Sequence, residues 1–191
     1  MIRCLLAALV LLLAGCDSAL TMRTGASESA PPLDGSFNDT DVMFLQMLIP
    51  HHRQGVRLAE LAAELATDPE IRDFAAAVEA TQNDEIADME AWLTEWNQPI
   101  AADPDPNAHH GHGDGLHSTD PAVVTALAKT PAAEFDRTFL NLLTGHQHGA
   151  VELARMELED GRHPDALDLA DRVVESRTAQ VKQMATFLAT P

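Results

Sequence analysis

The chain has 191 residues, of which 30 are acidic and 12 are lysine or arginine, so its formal net charge is -18. This acidic balance argues against nucleic acid as a partner, because binding to a phosphate backbone requires basic patches. The two cysteines, Cys4 and Cys16, both lie near the start of the chain. A domain beyond them has no disulfide, no cysteine nucleophile and no thiolate ligand, so any metal must be held by His, Met, Asp or Glu.

The N-terminal segment has the features of an export signal. Arg3 precedes an apolar run, residues 5–14, that is too short to span a bilayer as a stable helix. The run ends in Leu-Ala-Gly before Cys16, which resembles the cleavage site of a bacterial lipoprotein and implies lipidation of Cys16. An ordinary signal peptide that ends in cysteine is the alternative. We predict a signal peptide over residues 1–15, a flexible tether over residues 16–38, and an exported protein anchored to a membrane of the cell envelope by acyl chains.

The rest of the chain contains an internal repeat with a spacing of 95 residues. A repeat of this length is a structural unit. Each copy has apolar residues at helical spacing on either side of a turn, which predicts two helical hairpins. The matched positions include Asp41 and Asp136, His51 and His146, Met89 and Met184, and many Phe, Leu, Val and Ala residues between them.

Each predicted hairpin consists of two long helices. Thr67 is the predicted N-cap of the second helix, because Glu70 follows three residues later and Pro69 lies in the first turn. Two amphipathic hairpins bury their apolar faces best against each other, so we predict an all-α four-helix bundle over residues 39–191. The predicted helices are 39–66, 68–97, 121–129 (a short one, with Asp120 as N-cap), 135–160 and 164–188. The hairpin repeats are 39–97 and 134–189, with a His-rich loop over 98–120 between them.

Pairing the helices of each hairpin brings His and Met side chains together. In an antiparallel pair, residues equally far from the turn lie level with each other. Imidazole and thioether groups without thiolate form a soft ligand set that suits Cu(I) or Ag(I), and imidazole also binds Cu(II) and Zn(II). Glu85 could be a ligand, or could orient His51. The grouped residues are His51, Glu85, Met47 and Met89, with Met43 one turn away, and, in the second hairpin, His146, Gln180 and Met184.

These residues also have interpretations without a metal. Methionines at helical spacing usually fill a core, and a buried histidine is often part of a hydrogen-bonded structure rather than a ligand. A di-iron bundle would need Glu-x-x-His pairs, and the sequence contains none. No Ser/His/Asp or Cys/His constellation and no phosphate-binding glycine loop is recognisable, so we predict that the protein is not an enzyme.

The loop between the hairpins contains a second histidine cluster. Its four histidines, interspersed with glycine and one aspartate, follow an Asp-Pro-Asp-Pro segment. Short His-rich tracts in loops bind Cu(II), Ni(II) or Zn(II), although such tracts can also be low-complexity sequence without a function. The histidines are His109, His110, His112 and His117.

The first repeat resembles a known family. The pattern Asp-x-x-Phe-Leu-x-Met-x-Ile-Pro-His-His, from Asp41 to His52, is followed by Gln-x-x-Glu-Ile-x-x-Met-x-x-Trp-Leu from Gln82. Together they resemble the domain-of-unknown-function family 305, and the second repeat resembles the same unit. The resemblance implies a ferritin-like four-helix bundle, and some family members are exported copper- or silver-binding proteins. It applies most directly to Met47, His51, His52 and Met89.

The second repeat departs from the family pattern. His146 matches, but the second histidine of the pair is replaced by Gln147, and His148 follows one residue later. Gln180 stands at the position of Glu85, so the ligand set is more complete in the first hairpin.

The sequence therefore predicts a lipid-anchored protein outside the cytoplasm that binds copper, with silver or zinc as alternatives, and serves in buffering, transfer or tolerance. A helical interaction module of the cell envelope without a metal role is the other interpretation. No protein partner or oligomeric state follows from the sequence. The candidate metal ligands are Met43, Met47, His51, His52, Glu85, Met89, His146, His148, Met184, His109, His110, His112 and His117.

Overall fold

The computed structural model describes residues 36–101 and 121–189. These residues form helices and no strand, in the order α1 Asp39–Leu65, α2 Pro69–Glu95, α3 Pro121–Leu127, α4 Ala132–Asp160 and α5 Pro164–Ala189. The predicted all-α bundle is confirmed, and most predicted helix ends agree to within a few residues. The signal peptide, Cys16, most of the tether, Asp120 and the loop histidines His109, His110, His112 and His117 lie outside the described residues.

The four long helices pack as two hairpins. Helix α1 packs against α2, α4 packs against α5, and α1 and α4 join the hairpins across the bundle. In the described part of the chain, no helix has the length and apolar character needed to cross a membrane.

The N-cap of α2 differs from the predicted one. Asp68, rather than Thr67, caps the helix, because its carboxylate accepts a hydrogen bond from the Glu70 amide at 2.8 Å. Thr67 instead donates to Asp136 on α4, through its amide at 2.9 Å and its hydroxyl at 2.5 Å. A contact between hairpins thus replaces the local cap that the sequence predicted for Thr67.

The apolar part of the bundle interior is divided into two clusters. The first apolar cluster includes Phe74, Phe135, Phe139 and Met184, and the second apolar cluster includes Phe44, Leu45, Met89 and Leu169. Along each long helix, one group of buried polar residues falls between the positions that contribute to the two clusters. The bundle therefore has an apolar, a polar and a second apolar layer along its length. The polar layer contains His51, His52, Gln82, Glu85, His146, Gln147 and Arg177, each at most 8% exposed.

Candidate functional site

The polar layer contains a charged network between the two hairpins. His52 Nε2 lies 2.7 Å from Glu85 Oε2, and the Arg177 guanidinium, fully buried, donates to the same carboxylate oxygen. Burial alone would raise the pKa of Glu85, but the hydrogen bond with His52 and the positive charge of Arg177 hold this pKa below its ordinary value. Glu85 is therefore ionised and neutralises Arg177 inside the bundle.

His52 is held in one tautomer by this network. Because the Glu85 carboxylate can only accept, Nε2 of His52 carries the proton. Burial lowers the pKa of His52, and this effect outweighs the stabilising hydrogen bond to Glu85, so the imidazole is neutral. Its Nδ1 lone pair is buried and has no hydrogen-bond partner within residues 36–101 and 121–189.

His51 and His146, which occupy the same position in the two repeats, stack on each other. Their ring centroids are 3.8 Å apart and their planes differ by 16°. His51 Nε2 lies 3.2 Å from the backbone oxygen of His146. Burial, followed by the charge on neighbouring histidines, lowers the pKa of His51 well below 6.5 and that of His146 to about 3. Both rings are therefore neutral at pH 7, which is the form that binds metals.

The second hairpin repeats the pairing of the first with amide side chains. Gln147 Nε2 donates to Gln180 Oε1 at 2.5 Å, and these residues are 33 apart in the chain, as are His52 and Glu85. An imidazole–carboxylate contact in one hairpin thus corresponds to an amide–amide contact in the other.

Arg177 occupies the position that Gln82 holds in the first repeat. Gln82 is fully buried and lies against Gly55, where an added Cβ would come within 2.1 Å of Gln82 Oε1. The first hairpin thus accommodates an amide by omitting a side chain on α1, whereas Arg177 extends across the bundle to Glu85. Sequence reasoning did not single out Arg177, although a charged residue between Val173 and Met184 on the apolar face of α5 was a usable signal.

A second buried carboxyl group lies at one end of the bundle. Asp41 accepts hydrogen bonds from the amides of Arg162 and His163, each at 2.9 Å, and is fully buried beside Glu157. Burial raises the pKa of Glu157 to about 9, and the neighbouring Asp41 adds to the effect. Glu157 is therefore protonated at pH 7. It lies under Gly161, where a Cβ would meet its carboxyl group at 2.3 Å.

The structure brings together only part of the predicted ligand set. His51, His52, Glu85 and His146 share the polar layer, but the partner of Glu85 is His52 and not His51. The reason is geometric, since consecutive helical residues point about 100° apart. Met89 and Met184 are fully buried in different apolar clusters, Met43 and Met47 are half-buried, and His148 is exposed.

A metal site made only of charged or imidazole ligands is not assembled in the described residues. Among them, no three His, Asp or Glu side chains are grouped so as to hold a metal ion. Arg177 already supplies the positive charge beside Glu85. Thioether sulfurs are the remaining soft donors of the bundle.

The family model of a domain of unknown function, DUF305, matches residues 41–188. The chain belongs to the DUF305 family. Similar solved structures include a DUF305 fragment from Deinococcus radiodurans, which is 26% identical, with a TM-score of 0.71, over 81% of this chain and 99% of that one. A DUF305 protein from Streptomyces coelicolor, provisionally named as a secreted protein, is 27% identical, with a TM-score of 0.72, over 78% of this chain and 91% of that one.

CopM is a further similar structure. It is 28% identical to this chain, with a TM-score of 0.64, over 77% of this chain and 94% of CopM, and has been solved in Cu(I)-bound and Cu(II)-bound forms. It has also been solved with silver, at a TM-score of 0.62. No curated protein matches the chain in sequence.

Proposed function

We propose that this DUF305 protein binds copper or silver ions outside the cytoplasm and serves to buffer them, transfer them or confer tolerance to them. The observation that carries the proposal is the similarity to CopM, which extends over 94% of CopM and 77% of this chain. CopM has been solved with Cu(I), Cu(II) and silver. The metal ion is cargo in this proposal, so the protein is a binding protein rather than an enzyme.

The side chains of the bundle support binding of a soft ion. His51 and His52 are neutral, and each has a buried Nδ1 without a hydrogen-bond partner in the part of the chain that the structure describes. Met47 and Met43 lie about one and two turns, respectively, before His51 on α1, and both are half-buried, so their thioethers are within reach of solvent. Imidazole and thioether groups together favour Cu(I) and Ag(I) over harder ions.

The proposed location rests on the sequence at the N-terminus. The apolar run that ends at Cys16 supports export and lipidation, and acyl chains would hold the domain at a membrane surface. The acidic surface favours attraction of cations in general.

Metal titration tests the proposal. Protein lacking residues 1–16 is titrated with Cu(I), Ag(I), Cu(II) and Zn(II), and we expect binding of Cu(I) and Ag(I) that is tighter than binding to an unrelated acidic protein. His51→Ala and a deletion of residues 107–117 then assign the ion to the bundle or to the loop. Affinity no higher than that of the acidic control for every ion would contradict a metal role.

A helical interaction module without a metal role is the second candidate. It is favoured by one observation, which is that the ionised groups of the polar layer, Glu85 and Arg177, neutralise each other without a metal. The two candidates differ in thermal stability. Because a ligand that binds the native state stabilises it, Ag(I) should raise the melting temperature if the protein is a metal-binding protein and leave it unchanged if it is an interaction module.

A further inference from the structure

The charged network of the polar layer combines groups from both hairpins. Glu85 on α2 accepts a hydrogen bond from Arg177 on α5, and His52 Nε2 lies 2.7 Å from the same carboxylate oxygen. The side chains of His52 and Arg177 are fully buried, whereas 11% of the Glu85 side chain is exposed. An ion from solvent can therefore reach the carboxylate, and it meets a positively charged guanidinium there.

The other side chains of the polar layer, all within residues 36–101 and 121–189, carry no charge at pH 7. The three histidines are neutral, because burial lowers the pKa of each ring below its ordinary value of 6.5. Gln82 and Gln147 are uncharged amides. The layer is therefore neutral with Arg177 in place, and without this arginine it would contain an uncompensated negative charge on Glu85.

The two charged groups replace amides at different positions of the repeat. Glu85 corresponds to Gln180 in the second copy, and Arg177 corresponds to Gln82 in the first. Each copy thus contributes one ionised group and one amide at these two positions. Because the guanidinium and the carboxylate come from different hairpins, they neutralise each other only when the hairpins are packed together.

Glu85 and His52 have the chemistry of two metal ligands. A carboxylate oxygen and an imidazole nitrogen each bind Zn(II) at about 2.0–2.2 Å. An ion between them would replace the proton on His52 Nε2, which can move to Nδ1, an atom without a partner in the described residues. Gln82, about one turn before Glu85 on α2, has a buried amide oxygen that is also without a partner there and could supply a third donor.

Arg177 makes this position unfavourable for a divalent ion. Its guanidinium already neutralises the carboxylate, so Zn(II) would add two positive charges to the interior without a counter-ion, which is costly. The guanidinium cannot avoid the repulsion by losing a proton, because arginine stays charged in proteins. A soft monovalent ion that binds neutral imidazole or thioether groups has no need of this carboxylate.

We propose that Arg177 is a specificity-determining residue that keeps divalent metal ions out of the polar layer. Its guanidinium takes the place beside Glu85 that a divalent ion would occupy, so that the second hairpin supplies the cation for the first. The inference goes beyond the proposed function, since exclusion of divalent ions from this layer does not depend on whether copper or silver binds elsewhere in the protein.

A Zn(II) titration of the full chain, expressed with its own leader, and of three variants tests this role. Arg177→Gln introduces the amide that the repeat counterpart Gln82 carries, and it leaves the Glu85 carboxylate without its guanidinium. Arg177→Lys keeps the positive charge and is the matched control. Arg177→Gln/Glu85→Gln removes the carboxylate as well and shows whether any new binding depends on it. Zn(II) sites elsewhere in the chain are common to all four proteins and cancel in the comparison.

Thermal unfolding with and without Zn(II) is the main measurement. We expect Zn(II) to raise the melting temperature of Arg177→Gln more than that of the parent, because an ion beside Glu85 stabilises the native state. The apparent affinity of Arg177→Gln for Zn(II) should exceed that of the parent at least about tenfold. The Arg177→Lys and double variants should respond as the parent does, and the nuclear magnetic resonance signal of the His52 ring should move with Zn(II) in Arg177→Gln alone.

A purely structural ion pair predicts a different result. In that case Arg177→Gln loses stability but responds to Zn(II) as the parent does, and this outcome would overturn the proposal. A Zn(II) response that persists in the double variant, or a His52 signal that moves with Zn(II) in the parent, would overturn it as well. If Arg177→Gln is unfolded without metal, Zn(II) should restore a cooperative transition to it and not to the double variant, and no such restoration would also contradict the role of Arg177. A parent that binds neither Cu(I) nor Ag(I) would contradict the proposed function and leave this inference unaffected.

Discussion

Asp41 and Asp136 make equivalent contacts, each with the turn of the other hairpin. Asp41 on α1 accepts the amide hydrogens of Arg162 and His163 in the α4–α5 turn, and Asp136 on α4 accepts those of Thr67 and Asp68 in the α1–α2 turn. The aspartates are 95 residues apart, and so are the amides that they bind. Each hairpin thus satisfies polar backbone groups in the turn of the other, which fixes the antiparallel arrangement of α1 and α4.

Removal of either aspartate should weaken the bundle. Asp41→Ala removes the acceptor of three backbone amides, those of Asn38, Arg162 and His163, and Asp136→Ala removes the acceptor of two, so we expect each variant to lose about 1–3 kcal/mol of the free energy of unfolding. Urea denaturation measures the loss. Asp73→Ala is the control, because Asp73 also recurs in the repeat but is exposed, and it should not change the stability measurably. Equal stability of all three variants would contradict a capping role.

Arg177 and Glu85 should be strongly coupled. Arg177→Gln leaves an ionised Glu85 buried without its main counter-charge, and we expect a loss of about 3–5 kcal/mol of the free energy of unfolding. The double variant Arg177→Gln/Glu85→Gln places amides at both positions, and its loss should be much smaller than the sum of the two single losses. Arg172→Gln on the same helix is the control, since its ion pair with Asp168 is half-exposed and contributes less than about 1 kcal/mol. Additive losses from the two single changes would show that the buried pair is not a unit.

The histidines of the polar layer should remain neutral in mildly acidic solution. Burial lowers the pKa of His51, His52 and His146 from the ordinary value of 6.5. Their ring signals in nuclear magnetic resonance spectra should therefore not move between pH 7 and about pH 6, whereas histidines of the urea-unfolded protein should titrate near 6.5. The unfolded state takes up these protons first, so acid should destabilise the fold as the pH falls below 6.5. A midpoint near 6.5 in the folded protein would contradict their burial as neutral rings.

Glu157 should make the free energy of unfolding fall, rather than rise, as the pH increases. Its pKa rises from 4.5 to about 9 on folding, so the folded state holds a proton that the unfolded state loses. The contribution of Glu157 to stability is therefore complete below about pH 4.5 and is lost as the pH rises towards 9. Asp41, which faces Glu157, has a lowered pKa because hydrogen bonds outweigh its burial, so it stays ionised throughout this window.

Glu157→Gln tests this pH dependence of stability, because glutamine has nearly the same shape as glutamate and does not titrate. The stability of this variant relative to the parent should increase steadily between about pH 5 and pH 9 in urea denaturation. Glu159→Gln, a change at an exposed glutamate two residues further along, is the control and should show no such trend. A constant difference between Glu157→Gln and the parent would mean that Glu157 is ionised in the fold.

Much of the architecture could be predicted from local signals. The apolar period and the proline and glycine positions placed the long helices, since these features act within a few residues of chain. The N-cap of α2 was assigned to Thr67 instead of Asp68, because the competing partner of Thr67 is Asp136, 69 residues away. Local propensity contains no information about such a contact.

The ligand groups were predicted less completely. Counting residues from the turn placed Glu85 beside the first histidine pair. The choice between His51 and His52 depends on the rotation of α1 about its axis, which packing decides. Arg177 was missed because it reaches across the bundle to Glu85 rather than along its own hairpin.

The sequence by itself determined the helices, their pairing into two hairpins and the resemblance to DUF305, because periodicity, turns and motifs are properties of neighbouring residues. The tertiary structure alone decided the contacts between the hairpins. They are the stacking of His51 on His146, the pairing of Arg177 with Glu85 and the two aspartate caps. These contacts depend on the relative height and rotation of helices that are distant in the chain, and only the packing of both hairpins into one interior sets these two quantities.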